Sequence, residues 1–144
     1  MEIFIDADGC PVVDITLKTA EKNNIPVTII CDTAHIFNKP YAKIITVDKG
    51  ADSADFKLVN MVHSGDIVVT QDYGLAAMCL AKKAVPINQN GLIYDNDNID
   101  SLLLARHTAK KIRNSGGRLK GPKKRTKEQD NEFSHVLERL ILSE

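Results

Sequence analysis

Seven aspartates lie where the chain could bring their carboxylates together and so create a site for a divalent cation. They are Asp6, Asp8, Asp32, Asp48, Asp52, Asp55 and Asp72. Carboxylate oxygens are hard ligands that suit Mg²⁺ or Mn²⁺, and the lack of a nearby histidine pair argues against zinc. An ion bound there could activate water or stabilise the charge of a phosphodiester during an in-line displacement.

Each aspartate also has a structural interpretation, because Asp is favoured in turns and at helix N-caps. We prefer that interpretation for Asp32 and Asp48, each of which ends a predicted strand. The other five taken together favour a functional acidic site over five unrelated caps. The predicted catalytic side chains are therefore Asp6, Asp8, Asp52, Asp55 and Asp72.

The elements that must position these residues alternate between short β-rich runs and helical patterns, which predicts βαβ units around a parallel sheet. Strands are predicted at 2–6, 26–31, 43–47, 67–70 and 84–87, with helices at 11–23, 51–63, 73–83 and 99–114. The carboxyl ends of parallel strands share one edge of the sheet, where ligands bind. Asp55 precedes Leu58 and Val59 by three and four residues, so its helix should direct it over that edge.

A final helix is predicted from the capping-box pattern of Thr126 and Gln129. Its apolar stripe is formed by Phe133, Val136, Leu137, Leu140 and Ile141. Such a helix must dock on the sheet or on a second subunit, so a homodimer is a candidate assembly. We predict a three-layer, Rossmann-like α/β fold with a mainly parallel central sheet of four to five strands, flanking helices and an appended C-terminal helix.

Composition narrows the class of protein. The 144 residues, 43% hydrophobic and 26% charged, are typical of one globular domain. We divide this single domain, 1–144, into an α/β core (1–105), a basic helix end and loop (106–127) and the last helix (128–144). No apolar run is long enough to cross a bilayer, and the first residues form a strand pattern rather than a secretory signal.

The cysteines indicate a reduced environment. Cys10, Cys31 and Cys79 match neither a disulfide framework nor metal-ligand spacing. We therefore expect a cytoplasmic protein with no membrane partner. Cys10 lies beside the first acidic motif, but we expect a small buried residue there rather than a nucleophile.

Basic residues are concentrated in one segment. Residues 1–105 contain 14 acidic and 8 basic side chains, whereas residues 106–127 contain ten basic and no acidic ones. Such a segment suits contacts with a phosphate backbone, and the alternative is a solvated surface. We predict a nucleic-acid surface, for RNA rather than DNA, formed by Arg106, Lys110, Arg113, Arg118, Lys120, Lys123, Lys124 and Arg125.

Three stretches carry a family resemblance. Residues 69–76, VTQDYGLA, resemble the T-x-D-x-D-L segment of PIN-like nucleases, and residues 49–55, KGADSAD, resemble the helix start of their NYN members with a shorter gap. With DADGCPV at 6–12 and Gly121-Pro122 before the last helix, which contains Asp130 and Phe133, nearly the full chain resembles the YaiI/YqxD family of uncharacterised bacterial proteins.

The resemblance implies a PIN-like domain and a metal-dependent hydrolase. Asp6 and Asp72 would be metal ligands after the first and fourth strands, and Asp52 or Asp55 would supply the middle carboxylate. Thr70 would supply a hydroxyl that orients Asp72. This chain has Gly74 where those nucleases have a second acid, and Asp8 is the candidate replacement.

Three functions remain open from the sequence. The first is a nuclease that uses Mg²⁺ or Mn²⁺ to cleave RNA or single-stranded nucleic acid. The second is a phosphatase similar to haloacid dehalogenases that uses Asp6 and Asp8, although Cys10 replaces the usual Thr or Val. The third is a catalytically inactive nucleic-acid-binding protein, which Gly74 would explain.

Overall fold

The structure is a computed structural model that describes residues 1–32, 38–48, 53–116 and 124–143. Within these ranges, five parallel strands form one sheet: β1 (Ile3–Asp6), β2 (Val27–Asp32), β3 (Lys43–Val47), β4 (Ile67–Val69) and β5 (Val85–Ile87). The helices are α1 (Val13–Lys22), α2 (Ser53–Met61), α3 (Tyr73–Ala81), α4 (Asn96–Asn114) and α5 (Lys127–Leu142). Each strand lies within one residue of its predicted bounds.

The order of the strands creates a crevice next to β1. The sheet runs β3-β2-β1-β4-β5, so the chain extends outward from β1 to β3 and then returns to place β4 on the other side of β1. In open α/β sheets, ligands bind beyond the carboxyl ends of the two strands at such a switch point. Ile5 pairs with Val69, so the next residues of the two strands, Asp6 and Thr70, lie side by side.

Two layers of helices cover the sheet, which confirms the predicted three-layer, Rossmann-like α/β fold. Side chains of a strand alternate between its faces. Ile3 and Ile5 pack in the core with α1 and α5, whereas Phe4 packs on the other face with α2 and α3. Because the central strands are buried on both faces, they read as continuous apolar runs.

Two helix starts differ from the prediction. Pro11 lies in a turn, and α1 begins at Val13 instead. Helix α4 begins at Asn96 rather than near Ile99, because Asp95 and Asn98 form a reciprocal capping box that starts the helix earlier.

The helical spacing of Ile99, Leu102, Leu103 and Ile112 predicts a single apolar stripe along α4, and this prediction is only partly correct. Ile99 is buried, and Leu102 and Leu103 are half-buried against α3. Ile112 is exposed, contrary to the prediction, because α4 continues past its contact with α3 and most residues from Leu104 onward face solvent.

Helix α5 docks on its own chain. Thr126 and Gln129 form the predicted capping box, and Phe133 and Leu137 are completely buried in the core that contains Ile3. No second subunit is needed to cover this face, and the homodimer stays a prediction. No helix in the described ranges is long and apolar enough to cross a membrane.

Candidate active site

The ends of β1 and β4 are joined by one hydroxyl group. The Thr70 hydroxyl donates to Asp6 Oδ2 at 2.8 Å and accepts a hydrogen bond from the backbone N–H of Asp72 at 3.0 Å. Thr70 was predicted to orient the Asp72 side chain; the structure shows that its side-chain partner is Asp6, while Asp72 is bound through its backbone. This arrangement fixes both acidic residues relative to the sheet.

Asp72 is the N-cap of α3. Its Oδ1 accepts hydrogen bonds from the backbone N–H groups of Gly74 at 2.8 Å and Leu75 at 3.2 Å. These bonds satisfy amides that the first turn of a helix leaves unpaired. The capping interpretation of Asp72 is therefore correct, and it leaves the carboxylate at the edge of the sheet.

Asp8 is held by the neighbouring strand. The backbone N–H of Asp32, at the end of β2, lies 3.2 Å from Asp8 Oδ2 and 3.4 Å from Oδ1. The Gln71 side chain donates to the carbonyl oxygen of Gly9 at 2.9 Å, which ties the loop after β4 to the loop after β1. The backbone of Asp32 thus positions Asp8, while the structural interpretation of the Asp32 side chain stays a prediction.

An open cleft of about 570 Å³ lies at this edge of the sheet. Four of the five predicted catalytic aspartates line it, from β1, the following loop, α2 and the cap of α3. The full set of lining residues is Asp6, Asp8, Ala54, Asp55, Gln71, Asp72, Tyr73 and Arg106. Asp48 lies elsewhere, in a separate groove with Lys57. Asp52 lies outside the described residues.

The cleft is rich in negative charge. The pKa of Asp6 is raised from its ordinary value to about 6, mainly because burial disfavours the charged carboxylate. The Thr70 hydrogen bond lowers this pKa, and the charges of Asp72 and Asp8 raise it. Arg106 brings a cation, with its Nη1 3.7 Å from Asp72 Oδ1. A proton or a cation would relieve the repulsion around Asp6.

The predicted basic residues have different environments. Arg106 lines the cleft, and Lys110, Arg113 and Lys124 are exposed. Arg125 is engaged within the chain: it pairs with Asp130 at 2.5 Å, donates to Asn90 Oδ1 at 2.7 Å and bonds the Gln89 carbonyl oxygen. It therefore anchors the start of α5 to the turn after β5. Arg118, Lys120 and Lys123 lie outside the described residues.

Sequence reasoning missed two features of the cleft. Arg106 was assigned to the basic segment, yet it follows Ile99, Leu102 and Leu103 at helical spacing, so the inward-facing stripe of α4 ends in this guanidinium at the cleft. Tyr73 directly follows the Asp72 cap and also lines the cleft, and no pattern in the sequence had singled it out.

The environment of Cys10 disfavours the thiolate that a nucleophile needs. Cys10 is half-buried, and burial raises the pKa of its thiol to about 11. A thiol with such a pKa stays protonated, and the thiolate is the reactive form. The prediction of a small buried residue is met only in part, because Cys10 is half-buried and packs at the edge of the core.

The carboxylates that the structure describes do not form a closed metal cage. Across residues 1–32, 38–48, 53–116 and 124–143, no three His, Cys, Asp or Glu side chains are close enough to hold one ion together. Mg²⁺ commonly binds one or two carboxylates and keeps several of its waters. The donor set thus fits a hydrated Mg²⁺ or Mn²⁺ better than an ion enclosed by protein ligands.

The comparison with known proteins places the chain in a family. Residues 4–143 match the family model described as "Uncharacterized BCR, YaiI/YqxD family". The chain belongs to the YaiI/YqxD family. A UPF0178 protein of Clostridium acetobutylicum is 51% identical over 99% of this chain and 97% of its own length. Another, from Ruminiclostridium cellulolyticum, is 57% identical over 95% of this chain and 90% of its own. No solved structure matches this YaiI/YqxD member.

Proposed function

We propose that this protein is a divalent-metal-dependent nuclease that cleaves RNA or single-stranded nucleic acid. One observation carries the proposal: Asp6, Asp8, Asp55 and Asp72, from four separate segments, line one open cleft at the switch point of the sheet. Four carboxylates repel one another and repel a phosphate, so a role in nucleic-acid chemistry requires a cation between them.

The cation would be Mg²⁺ or Mn²⁺, and Asp6, Asp55 and Asp72 would hold it together with water. When bound, it would lower the pKa of a water molecule and neutralise charge on the phosphate under attack. The protein would keep the ligands fixed, because Thr70 holds Asp6 and the amides of Gly74 and Leu75 hold Asp72. Asp8 would supply the charge that Gly74 lacks.

Arg106 and the exposed bases would bind the nucleic acid. Arg106 shares the cleft with the carboxylates, and Lys110 and Arg113 continue along the exposed end of α4. Contacts of this kind hold the phosphate backbone with no preference for sequence. The affinity should therefore fall steeply as the salt concentration rises.

Cleavage of a labelled single-stranded RNA in Mn²⁺ tests the proposal. We expect Asp6→Asn to reduce the rate about a hundredfold or more, as for other groups that bind charge at a reacting centre. Asp48→Asn is the matched control, because Asp48 follows β3 and lies in another groove. Equal cleavage by the wild type and Asp6→Asn, or cleavage that survives chelation, would refute the proposal.

Gly74 stands at the position where the PIN-like nucleases have a second acid. This difference favours one alternative, a nucleic-acid-binding protein without catalysis. A Cβ at this position would lie 3.3 Å from Asp72 Oδ1, so the close cap of Asp72 leaves little room for a side chain. If this alternative holds, single-stranded RNA binds without metal, and binding survives Asp6→Asn and Asp72→Asn. No RNA would then be cleaved in Mn²⁺ or Mg²⁺.

A further inference from the structure

Tyr73 supplies an aromatic ring to the wall of the acidic cleft. It is the first residue of α3, directly after the Asp72 cap, and its side chain is half-buried. Among the described residues that line the cleft, it is the aromatic one. Tyr73 therefore borders the same cleft as the carboxylates, where a phosphate and its attached nucleoside would lie.

The Tyr73 ring is held in place by packing. Tyr94, which is almost completely buried, contacts it edge to face, with ring centroids 6.0 Å apart and planes inclined by 66°. The Tyr94 hydroxyl donates to the Thr70 carbonyl oxygen at 3.2 Å, and the Thr70 hydroxyl donates to Asp6. The aromatic pair is thus fixed to the same residue that positions the carboxylate.

A fixed aromatic ring suits recognition of a nucleobase. The other lining residues are mostly charged or polar and offer no surface on which a base can stack. A ring that is already packed loses little conformational freedom when a base stacks on it. Stacking is tolerant of sequence, since every base has a π-face, but it requires a base that is not enclosed in a duplex.

We propose that Tyr73 is the stacking platform for the nucleobase next to the phosphate in the cleft, and that it makes the site selective for single strands. This inference rests on the proposed function, because it assumes that the cleft receives nucleic acid. It adds a specificity residue that acts on the base, whereas the aspartates and Arg106 act on the phosphate. The competing explanation is that Tyr73 only packs against Tyr94.

Binding of two strands of equal charge separates these explanations. One probe is a fluorescent single-stranded oligonucleotide, and the other is the same sugar–phosphate strand with every base removed. Anisotropy is measured with the full chain in Ca²⁺, which offers the same charge and similar oxygen coordination, and a gel confirms that the probes stay intact. We expect the wild type to prefer the strand with bases by about 5- to 100-fold.

Three variants localise the preference. Tyr73→Leu should bind both strands equally, and Tyr73→Phe, which keeps the ring, should retain the preference. Tyr41→Leu is the matched control, because the Tyr41 hydroxyl bonds the Ile25 carbonyl oxygen at the amino end of β2, at the opposite edge of the sheet. It should bind like the wild type.

Every outcome bears on the inference. A wild type that binds the two strands equally, or a Tyr73→Leu variant that keeps the preference, overturns it, and so does the absence of any binding. If Tyr73→Leu fails to fold, the other two proteins still test the inference: both the wild type and Tyr73→Phe must prefer the strand with bases, and the inference is wrong if either does not. Cleavage in Mn²⁺ is measured in a separate experiment. A protein that prefers the strand with bases but does not cleave RNA would contradict the nuclease proposal and leave the base-stacking inference intact.

Discussion

The two ends of the β1–β4 pair each contain a buried or half-buried aspartate, but in opposite environments. At the amino end, Asp66 accepts hydrogen bonds from the backbone N–H groups of Glu2 at 3.0 Å and His63 at 2.9 Å. At the carboxyl end, Asp6 accepts one hydrogen bond from a hydroxyl; burial raises its pKa, and two nearby carboxylates raise that pKa further. A carboxylate bound by backbone amides joins elements together, whereas one placed among like charges is suited to a ligand.

The largest effect on stability should come from the amino end. Asp66→Ala removes the acceptor of two backbone amides in a site that is only 7% exposed. An unsatisfied buried donor costs about 1–3 kcal/mol; because Glu2 is half-buried and His63 is exposed, we take the lower part of this range for each amide and expect the free energy of unfolding to fall by about 2–3 kcal/mol. Urea denaturation measures this loss. If Asp66→Ala unfolds with wild-type stability, the assignment of Asp66 as a structural clamp is wrong.

The substitution Asp6→Asn, at the carboxyl end of β1, should have a smaller effect on stability, and it should stabilise the protein at neutral pH. The pKa of Asp6 is higher in the folded protein, about 6, than its ordinary value of 3.8, so its contribution to stability is complete below about pH 4 and is lost as the pH rises through 6. Asp6→Asn cannot titrate there. We expect it to be more stable than the wild type at pH 7, by on the order of 1 kcal/mol.

Denaturation of both proteins between pH 4 and pH 7 measures this difference. The two stabilities should converge at the acidic end of the range and draw apart as the pH rises from about 4 to 6. Above pH 6 their difference should stay constant, because Asp6 is then charged in both the folded and the unfolded protein. If the stabilities of the two proteins differ by the same amount at every pH from 4 to 7, the charged form of Asp6 does not destabilise the folded protein. The contrast between the two ends of the strands would then disappear.

The smallest effect on stability should come from Arg106. Its ion pair with Asp72 is long, at 3.7 Å, and its side chain is 63% exposed, so Arg106→Gln should change the free energy of unfolding by less than about 0.5 kcal/mol. The same variant should weaken binding of single-stranded RNA several-fold. Lys22→Gln is a control at another exposed ion pair, with Glu138. A large loss of stability without a change in binding would make Arg106 a structural residue.

Most of the fold could be predicted because its signals are local. The apolar runs predicted the bounds of each strand to within one residue, and the capping box at Thr126 predicted the start of α5. Ile112 was misplaced because the helical period shows which face is apolar but not how far the partner helix extends.

The acidic site was predictable in part for a related reason. Strand ends are read from the sequence, and a parallel sheet brings them to one edge, so the proximity of Asp6 and Asp72 followed from topology. The partners of Arg125 were not predictable, because Asn90 is 35 residues away and no periodicity links them. Tyr73 was missed since its importance depends on the fixed position of Tyr94.

Titration with Mn²⁺ tests the central claim most directly, because it requires no knowledge of the nucleic-acid substrate. A ligand that binds only the folded form at a hundred times its dissociation constant stabilises it by about 2.7 kcal/mol. We expect the melting temperature of the wild type and of Asp48→Asn to rise with Mn²⁺, while that of Asp6→Asn stays nearly constant. An unchanged wild-type melting temperature at millimolar Mn²⁺, or an equal rise in Asp6→Asn, would contradict a shared cation in the acidic cleft.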